Sequence, residues 1–132
     1  METFYSHGKL LISSEYAVLD GAQALALPTK FGQTLNVESV SGAIINWKSI
    51  SSNGKTWFET QFSIDNNLKI SCKNSSEIAL RLLQVLEAMQ QLNPAIFKRN
   101  IGFNITSTLE FPENWGLGSS STLINNLSQW AK

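Results

Sequence analysis

The hydrophobic period of the chain changes along its length, and that change restricts the fold more than any other feature. From Phe31 to Ile70 the pattern is that of strands: the segments QTLNVESV, AIINWKSI, TWFETQFSI and NLKISCK are rich in Val, Ile, Thr, Phe and Trp, and Ser41-Gly42, Asn53-Gly54 and Asp65-Asn66-Asn67 separate them. β-branched and aromatic runs broken by such turns read as antiparallel strands. At Asn74 the spacing becomes three and four, with Ile78, Leu82, Val85, Leu86 and Met89 on one helical face. Asn74 and Glu77 form a capping pair at its start, and Asn93-Pro94 ends it. IGFNITSTLEF returns to strand, with Ile101, Phe103 and Ile105 on one side. A final helical run from Ser119 carries Leu123, Ile124, Leu127 and Trp130. Strands, helix, strand, Gly-rich turn and helix make an α+β arrangement, a mostly antiparallel sheet with the helices on one face.

At the N-terminus, Phe4, Leu10, Leu11 and Ile12 flank the polar Ser6-His7-Gly8-Lys9, as two short strands around a Gly turn would. Asp20-Gly21 marks a second turn, and the apolar stretch Ala22 to Leu27 is stopped by Pro28. The 132 residues suit one domain with a core of its own. Ten Lys plus Arg balance ten Asp plus Glu, so no basic field attracts nucleic acid. The lone Cys72, in a strand-like LKISCKN, argues against a disulfide or a metal site and for a reducing compartment. The N-terminal apolar runs are broken by Glu15 and Asp20 and are too short to span a membrane, and no signal-peptide pattern is present. A cytoplasmic protein is expected.

The stretch FPENWGLGSSST, residues 111 to 122, carries the chemistry. Two glycines permit backbone angles and close approaches that a Cβ forbids, and three serines follow at the start of a helix, where several N–H groups lack intrahelical partners. With the helix dipole such an end attracts anions, and a Ser hydroxyl there can reach a magnesium ion held by phosphates. The same residues also read as a tight turn with Ser as the N-cap. No Gly-Lys-Ser/Thr follows at Walker A spacing.

Two segments together narrow the choice. HGKLLISSEYAVLDGAQALALPTKFGQ and PENWGLGSSST resemble the two N-terminal motifs of the GHMP kinases, the superfamily of galactokinase, homoserine kinase, mevalonate kinase and phosphomevalonate kinase. Gly8, Lys9, Glu15, Tyr16, Val18 and Gly21 follow the first motif in order, with Ile12 in place of its leucine. Pro112, Gly116, Leu117, Gly118, Ser119, Ser120 and Ser121 meet the second. The chain is most similar to the bacterial group named after a Gly-Tyr-Asp-Ile-Ala motif.

The resemblance implies the ribosomal protein S5 domain 2-like fold of a GHMP kinase N-terminal, ATP-binding domain over residues 1 to 132. It implies that Gly116, Leu117, Gly118, Ser119, Ser120 and Ser121 wrap the phosphates of ATP, that Ser120 is a Mg2+ ligand, and that Lys9 lies near the transferred phosphate as a catalytic cation. Glu15 and Tyr16 fall on the side of a small-molecule acceptor. Two departures stand out: Ser14 replaces the usual Gly, and Tyr16 stands where mevalonate kinases and galactokinases carry His. The Glu-Tyr pair is the habit of phosphomevalonate kinases and tilts the substrate toward the isoprenoid branch. Trp115 covers the sheet edge in one reading and lines the nucleotide pocket in another; His7, the only histidine, reads as an exposed turn residue. Family members also use a catalytic aspartate, a third Gly-rich motif and a C-terminal domain. Residues 1 to 132 alone are therefore expected to be inactive and to self-associate through apolar faces left uncovered. The competing reading is a noncatalytic α+β interaction domain in which GLGSSS is only a helix cap; it gives no reason for the first motif.

Overall fold

The computed structural model describes residues 1–11 and 17–132. Among them, six strands form one sheet in the order β1-β2-β6-β3-β4-β5. β1 is Glu2–Leu11, β2 Ala26–Ser41, β3 Ile44–Ile50, β4 Thr56–Ile64, β5 Ile70–Cys72 and β6 Ile101–Leu109. Two helices, α1 at Glu77–Leu92 and α2 at Ser119–Trp130, pack on one face. This is the expected α+β architecture. Four neighbouring pairs are antiparallel, but β3 and β6, at the centre, are parallel. After the β3-β4-β5 meander the chain crosses back through α1 and inserts β6 between β2 and β3. A parallel pair needs such a crossover, and strand patterning does not reveal it.

Alternation puts Leu35 and Val37 of β2, Ile45 and Trp47 of β3, Phe62 and Ile64 of β4, and Phe103 and Ile105 of β6 inward. They meet Leu82, Leu86 and Met89 of α1 and Leu127 of α2 in one core. Phe97, Phe103 and Trp130 pack edge to face with ring centroids 5.2 to 5.9 Å apart and tie the end of α2 to the sheet. The outward face is polar: Asn104 donates to Glu38, Asn46 to Asn104 and Gln61 to Asn46 in a line across four strands.

Several local expectations are corrected. The N-terminal segment is one strand, not two around a turn: β1 runs through Ser6-His7-Gly8-Lys9, with a register slip between His7 and Lys9. Pro28 does not stop its segment. It lies inside β2 opposite Lys9, where β6 does not yet flank β2, so its missing N–H breaks no ladder on that side. The N-cap of α1 is Ser76, whose Oγ accepts from the Ala79 N–H at 3.3 Å; Asn74 instead accepts from the Ser76 N–H. Glu77 is thereby the first helical residue. The buried stripe of α1 is Ala79, Leu82, Leu86 and Met89, and Ile78 is exposed.

Where β6 ends, Glu110 joins three strands. Its carboxylate accepts from the Tyr5 hydroxyl at 2.6 Å and from the Gly32 N–H at 2.7 Å, and its own N–H donates to the Gly32 carbonyl. Gly32 is required, because a Cβ there would lie 2.3 Å from the Ser6 carbonyl oxygen and 2.5 Å from the Tyr5 ring. The hydrogen bond to Glu110 is the main reason the Tyr5 phenol is pushed up from 10.0 to about 12; burial and the negative carboxylate add to it. Since the folded state holds the proton more tightly, the stability Tyr5 contributes is intact below pH 10 and lost as pH rises from there toward 12. Tyrosinate absorbance should accordingly show a late step near pH 12 that is absent in Tyr5→Phe and moves down in Glu110→Gln; a single step near pH 10 in the native protein would contradict the assignment.

Candidate functional site

β6 leads through Phe111 and Pro112 into a 3-10 turn at Glu113–Trp115 and then into Gly116, Leu117 and Gly118. Gly116 and Gly118 both adopt the left-handed region, at φ +68 and +77, which turns the chain sharply before α2 begins. Gly118 occupies the N-cap position and offers no side chain to cap with. The N–H groups of Ser119, Ser120 and Ser121 consequently have no partner among the described residues, and the first satisfied one is Thr122, whose N–H reaches the Gly118 carbonyl at 3.0 Å. None of the three serine hydroxyls caps the helix, so the reading as a Ser-capped turn lacks the bond that defines it. What remains is a helix end with three unspent donors and the positive end of its dipole.

β1 is fastened to this loop. The Lys9 N–H donates to the Leu117 carbonyl at 2.9 Å. The Lys9 stem lies against Gly118, where a Cβ would be 3.1 Å from both its Cγ and its Cε. Lys9 is half-buried, and its ammonium, one bond beyond Cε, is held beside the loop. Gly8 makes the approach possible, since a Cβ there would meet Thr29 Oγ1 at 2.8 Å and the Leu117 carbonyl oxygen at 3.0 Å. Two motifs about a hundred residues apart in sequence thus meet at one place.

Beside the helix end, α1, α2 and the sheet enclose a cleft of about 470 Å³. Ile50 and Trp57 from the β3-β4 hairpin, Ile78, Leu82 and Val85 from α1, and Leu123, Ile124 and Leu127 from α2 give it mostly apolar walls. Ser119 and Ser120 open onto it together with Glu113, while Arg81 stands at α1 with its exposed partner Glu77. The exposed Ile78 is explained here: it turns to the cleft rather than to the core. Ser121 does not line the cleft; it borders a shallow depression with Ser120, Ile124, Asn125 and Ser128.

Behind the loop runs a buried polar network that sequence patterning did not reveal. Asn126, fully buried, accepts from the Ser6 hydroxyl at 2.6 Å and donates to the Gln33 carbonyl at 2.8 Å. The Gln33 side chain accepts from the Thr122 hydroxyl at 2.6 Å and donates to Ser107 Oγ at 2.7 Å. Thr122 Oγ1 also lies 2.9 Å from the Ser119 carbonyl oxygen. These bonds clamp the first two turns of α2 to β1, β2 and β6 and fix where the free N–H groups point. The signal available in sequence was Thr122 and Asn126, polar residues four apart on a helix whose apolar stripe seemed complete without them.

Of the residues singled out from sequence, Lys9 and the segment from Gly116 to Ser120 are brought together, and Ser121 sits at their margin. Glu15 and Tyr16 lie outside the described residues. Trp115 is exposed and packs edge to face on Phe31 at 6.4 Å, on the sheet rather than in the cleft. His7 is exposed as expected, but on a strand; its Nδ1 is 3.0 Å from the Thr29 carbonyl oxygen. Among the described residues no three His, Cys, Asp or Glu side chains cluster as a metal site, and no helix is long and apolar enough to cross a membrane.

No family model and no curated protein matches the sequence. The fold, however, is found among solved structures. The mevalonate kinase of Methanococcus jannaschii matches over 98% of this chain and 39% of its own at 17% identity and a TM-score of 0.73. The galactokinase of Lactococcus lactis, complexed with galactose, matches over 96% and 30% at 19% identity and 0.65. A mevalonate diphosphate decarboxylase from Legionella pneumophila matches over 98% and 38% at 15% identity and 0.60. The chain spans about two fifths of these proteins or less, and it shares its fold with that part of each.

Proposed function

We propose that this chain is the ATP-binding part of a GHMP-type kinase that transfers the γ-phosphate of ATP to a hydroxyl or phosphate of a small molecule, in the mevalonate and phosphomevalonate branch. One observation carries the reading: the strand bearing Gly8-Lys9 is bonded to the Gly116–Gly118 turn, so a lysine is held beside a helix end whose first three N–H groups have no partner among the described residues. Neither a helix cap nor a partner surface needs that pairing. The residues fit a nucleotide and its magnesium. The donors of Ser119, Ser120 and Ser121 suit phosphate oxygens, and the exposed Ser120 hydroxyl beside them is the protein's ligand for Mg2+. With no carboxylate cage among the described residues, the ion is one that phosphates would share. When bound, Mg-ATP supplies the phosphoryl group and neutralises part of its charge.

Lys9 adds a fixed cation at the same place, where charge develops during transfer. The half-buried stem holds it there without the search a free lysine would make. The apolar cleft takes the base. Glu15 and Tyr16 are assigned to the acceptor, and the Glu-Tyr pair supports a phosphorylated acceptor. Transfer requires several positioned groups at once, so these residues by themselves are expected to bind nucleotide without turnover.

Calorimetric titration with Mg-ATP tests the reading. Binding should weaken about tenfold or more in Lys9→Met and when magnesium is removed, and should fall in Ser120→Ala only when magnesium is present. Absence of any ATP binding by the folded chain would remove the proposal. Mevalonate, phosphomevalonate, galactose and homoserine offered in parallel decide the acceptor.

A further inference from the structure

The floor of the cleft is polar where a core should be apolar. Inward positions on β3 read Ile45, Trp47, Ser49, and on β6 they read Phe103, Ile105, Ser107, Leu109. Ser49 and Ser107 are register partners on the parallel pair, so two small hydroxyls stand side by side where the rows beneath them carry large apolar groups. Both are more than nine-tenths buried, at 7% and 3% exposure, and both line the cleft. A sequence selected only for packing would place larger apolar residues there and close the void.

Each hydroxyl has its acceptor side already engaged by a fixed donor. Trp47 Nε1 donates to Ser49 Oγ at 2.9 Å, and Gln33 Nε2 donates to Ser107 Oγ at 2.7 Å. The Gln33 amide is oriented in turn by Thr122, whose hydroxyl donates to its oxygen. The two serines are not bonded to each other, and neither hydroxyl proton has an acceptor among the described residues. A buried hydroxyl proton without an acceptor is costly, and the cleft is the open space beside both. Neighbouring strands place the pair about 5 Å apart.

We propose that Ser49 and Ser107 are a paired donor site that reads hydrogen-bond acceptors on the ligand lodged in the cleft, namely the ring nitrogens of a purine base. The proposal rests on the nucleotide reading above and adds to it the residues that select the base. Apolar walls suit a flat heteroaromatic ring, the opening at Ser119 and Ser120 suits phosphates attached to it, and two donors suit a base presenting nitrogens at its inner edge. A pyrimidine, shorter and with fewer ring nitrogens, would leave at least one donor unpaired.

Binding of four probes to this chain tests the inference: ATP, CTP, tripolyphosphate, and ATP analogues in which one of N1, N3 or N7 is replaced by carbon. ATP should bind at least tenfold more tightly than CTP and tripolyphosphate, and one or two of the three analogues should bind about tenfold more weakly than ATP. Ser49→Ala should weaken ATP and leave tripolyphosphate unchanged. Ser107→Thr, which keeps the bond from Gln33 but intrudes on the cleft, should do the same. Equal binding of ATP and all three analogues, with no effect of Ser49→Ala, would overturn the proposal while leaving the phosphate cradle standing. The analogue comparison uses the unaltered protein, so it decides even if a variant fails to fold. Failure of both ATP and tripolyphosphate to bind would instead remove the nucleotide reading itself, and this inference with it.

Discussion

Gly118→Ala should fold and yet bind ATP at least tenfold more weakly. The backbone at 118 is left-handed, at φ +77, a conformation that costs an L-residue with a Cβ about 1–2 kcal/mol. The new methyl would also lie 3.1 Å from the Cγ and Cε of Lys9, closer than such contacts ordinarily settle, so the lysine stem must shift. The substitution therefore acts on both halves of the candidate site at once: it strains the turn that aims the free N–H groups and displaces the cation beside them. Gly54→Ala separates the two effects. Its φ of +82 carries a similar backbone cost, but nothing lies within 4 Å of the added carbon. Urea denaturation should show comparable destabilisation of the two variants, while calorimetry should show weakened ATP binding for Gly118→Ala alone. Equal ATP affinity in both would mean that the Lys9 contact with Gly118 has no part in binding.

The largest loss of stability is expected for Trp47→Ala. Trp47 is 2% exposed at the centre of the parallel pair, touches the core on the inward side, and donates to Ser49. Removing a buried ring of this size costs about 3–5 kcal/mol, a large share of the 5–15 kcal/mol by which domains ordinarily exceed the unfolded state. Trp47→Phe keeps most of the apolar burial and loses chiefly the bond to Ser49, so about 1–2 kcal/mol is expected. Circular dichroism during urea unfolding measures both. A cost under 1 kcal/mol for the alanine variant would show that the sheet centre does not depend on this ring.

What could be read in advance was local. The β-rich run from Phe31 to Ile70, the helix beginning just after Asn74, the strand at Ile101 and the helix starting at Ser119 all follow from short-range periodicity, and each is present with boundaries shifted by a few residues. Where neighbouring strands decide, local pattern misleads. Pro28 reads locally as a stop because a proline lacks an N–H, but β2 is flanked on one side only at that point, and on the open side there is no ladder bond to lose. Ser6-His7-Gly8-Lys9 reads locally as a turn because it is polar around a glycine. In the structure Gly8 is glycine because the Gly-rich loop approaches it, not because the chain reverses.

The candidate site divides in the same way. Lys9 and Gly116 to Ser121 were legible as motifs, since the backbone angles of a phosphate turn demand glycine and the helix start demands small polar residues. Their meeting was not, because a bond from the Lys9 N–H to Leu117 joins positions about a hundred residues apart. Still less visible were the cleft and its floor. Ser49 and Ser107 lie in ordinary strand segments and acquire meaning only because crossover through α1 makes β3 and β6 adjacent and parallel, in register. The sequence by itself determined the elements and the chemistry of the turn, because both depend on residues within one helical turn of each other. Only the tertiary structure decided which strands are neighbours, where a void is left between two helices and which hydroxyls face it, because those follow from packing between segments that no local period connects.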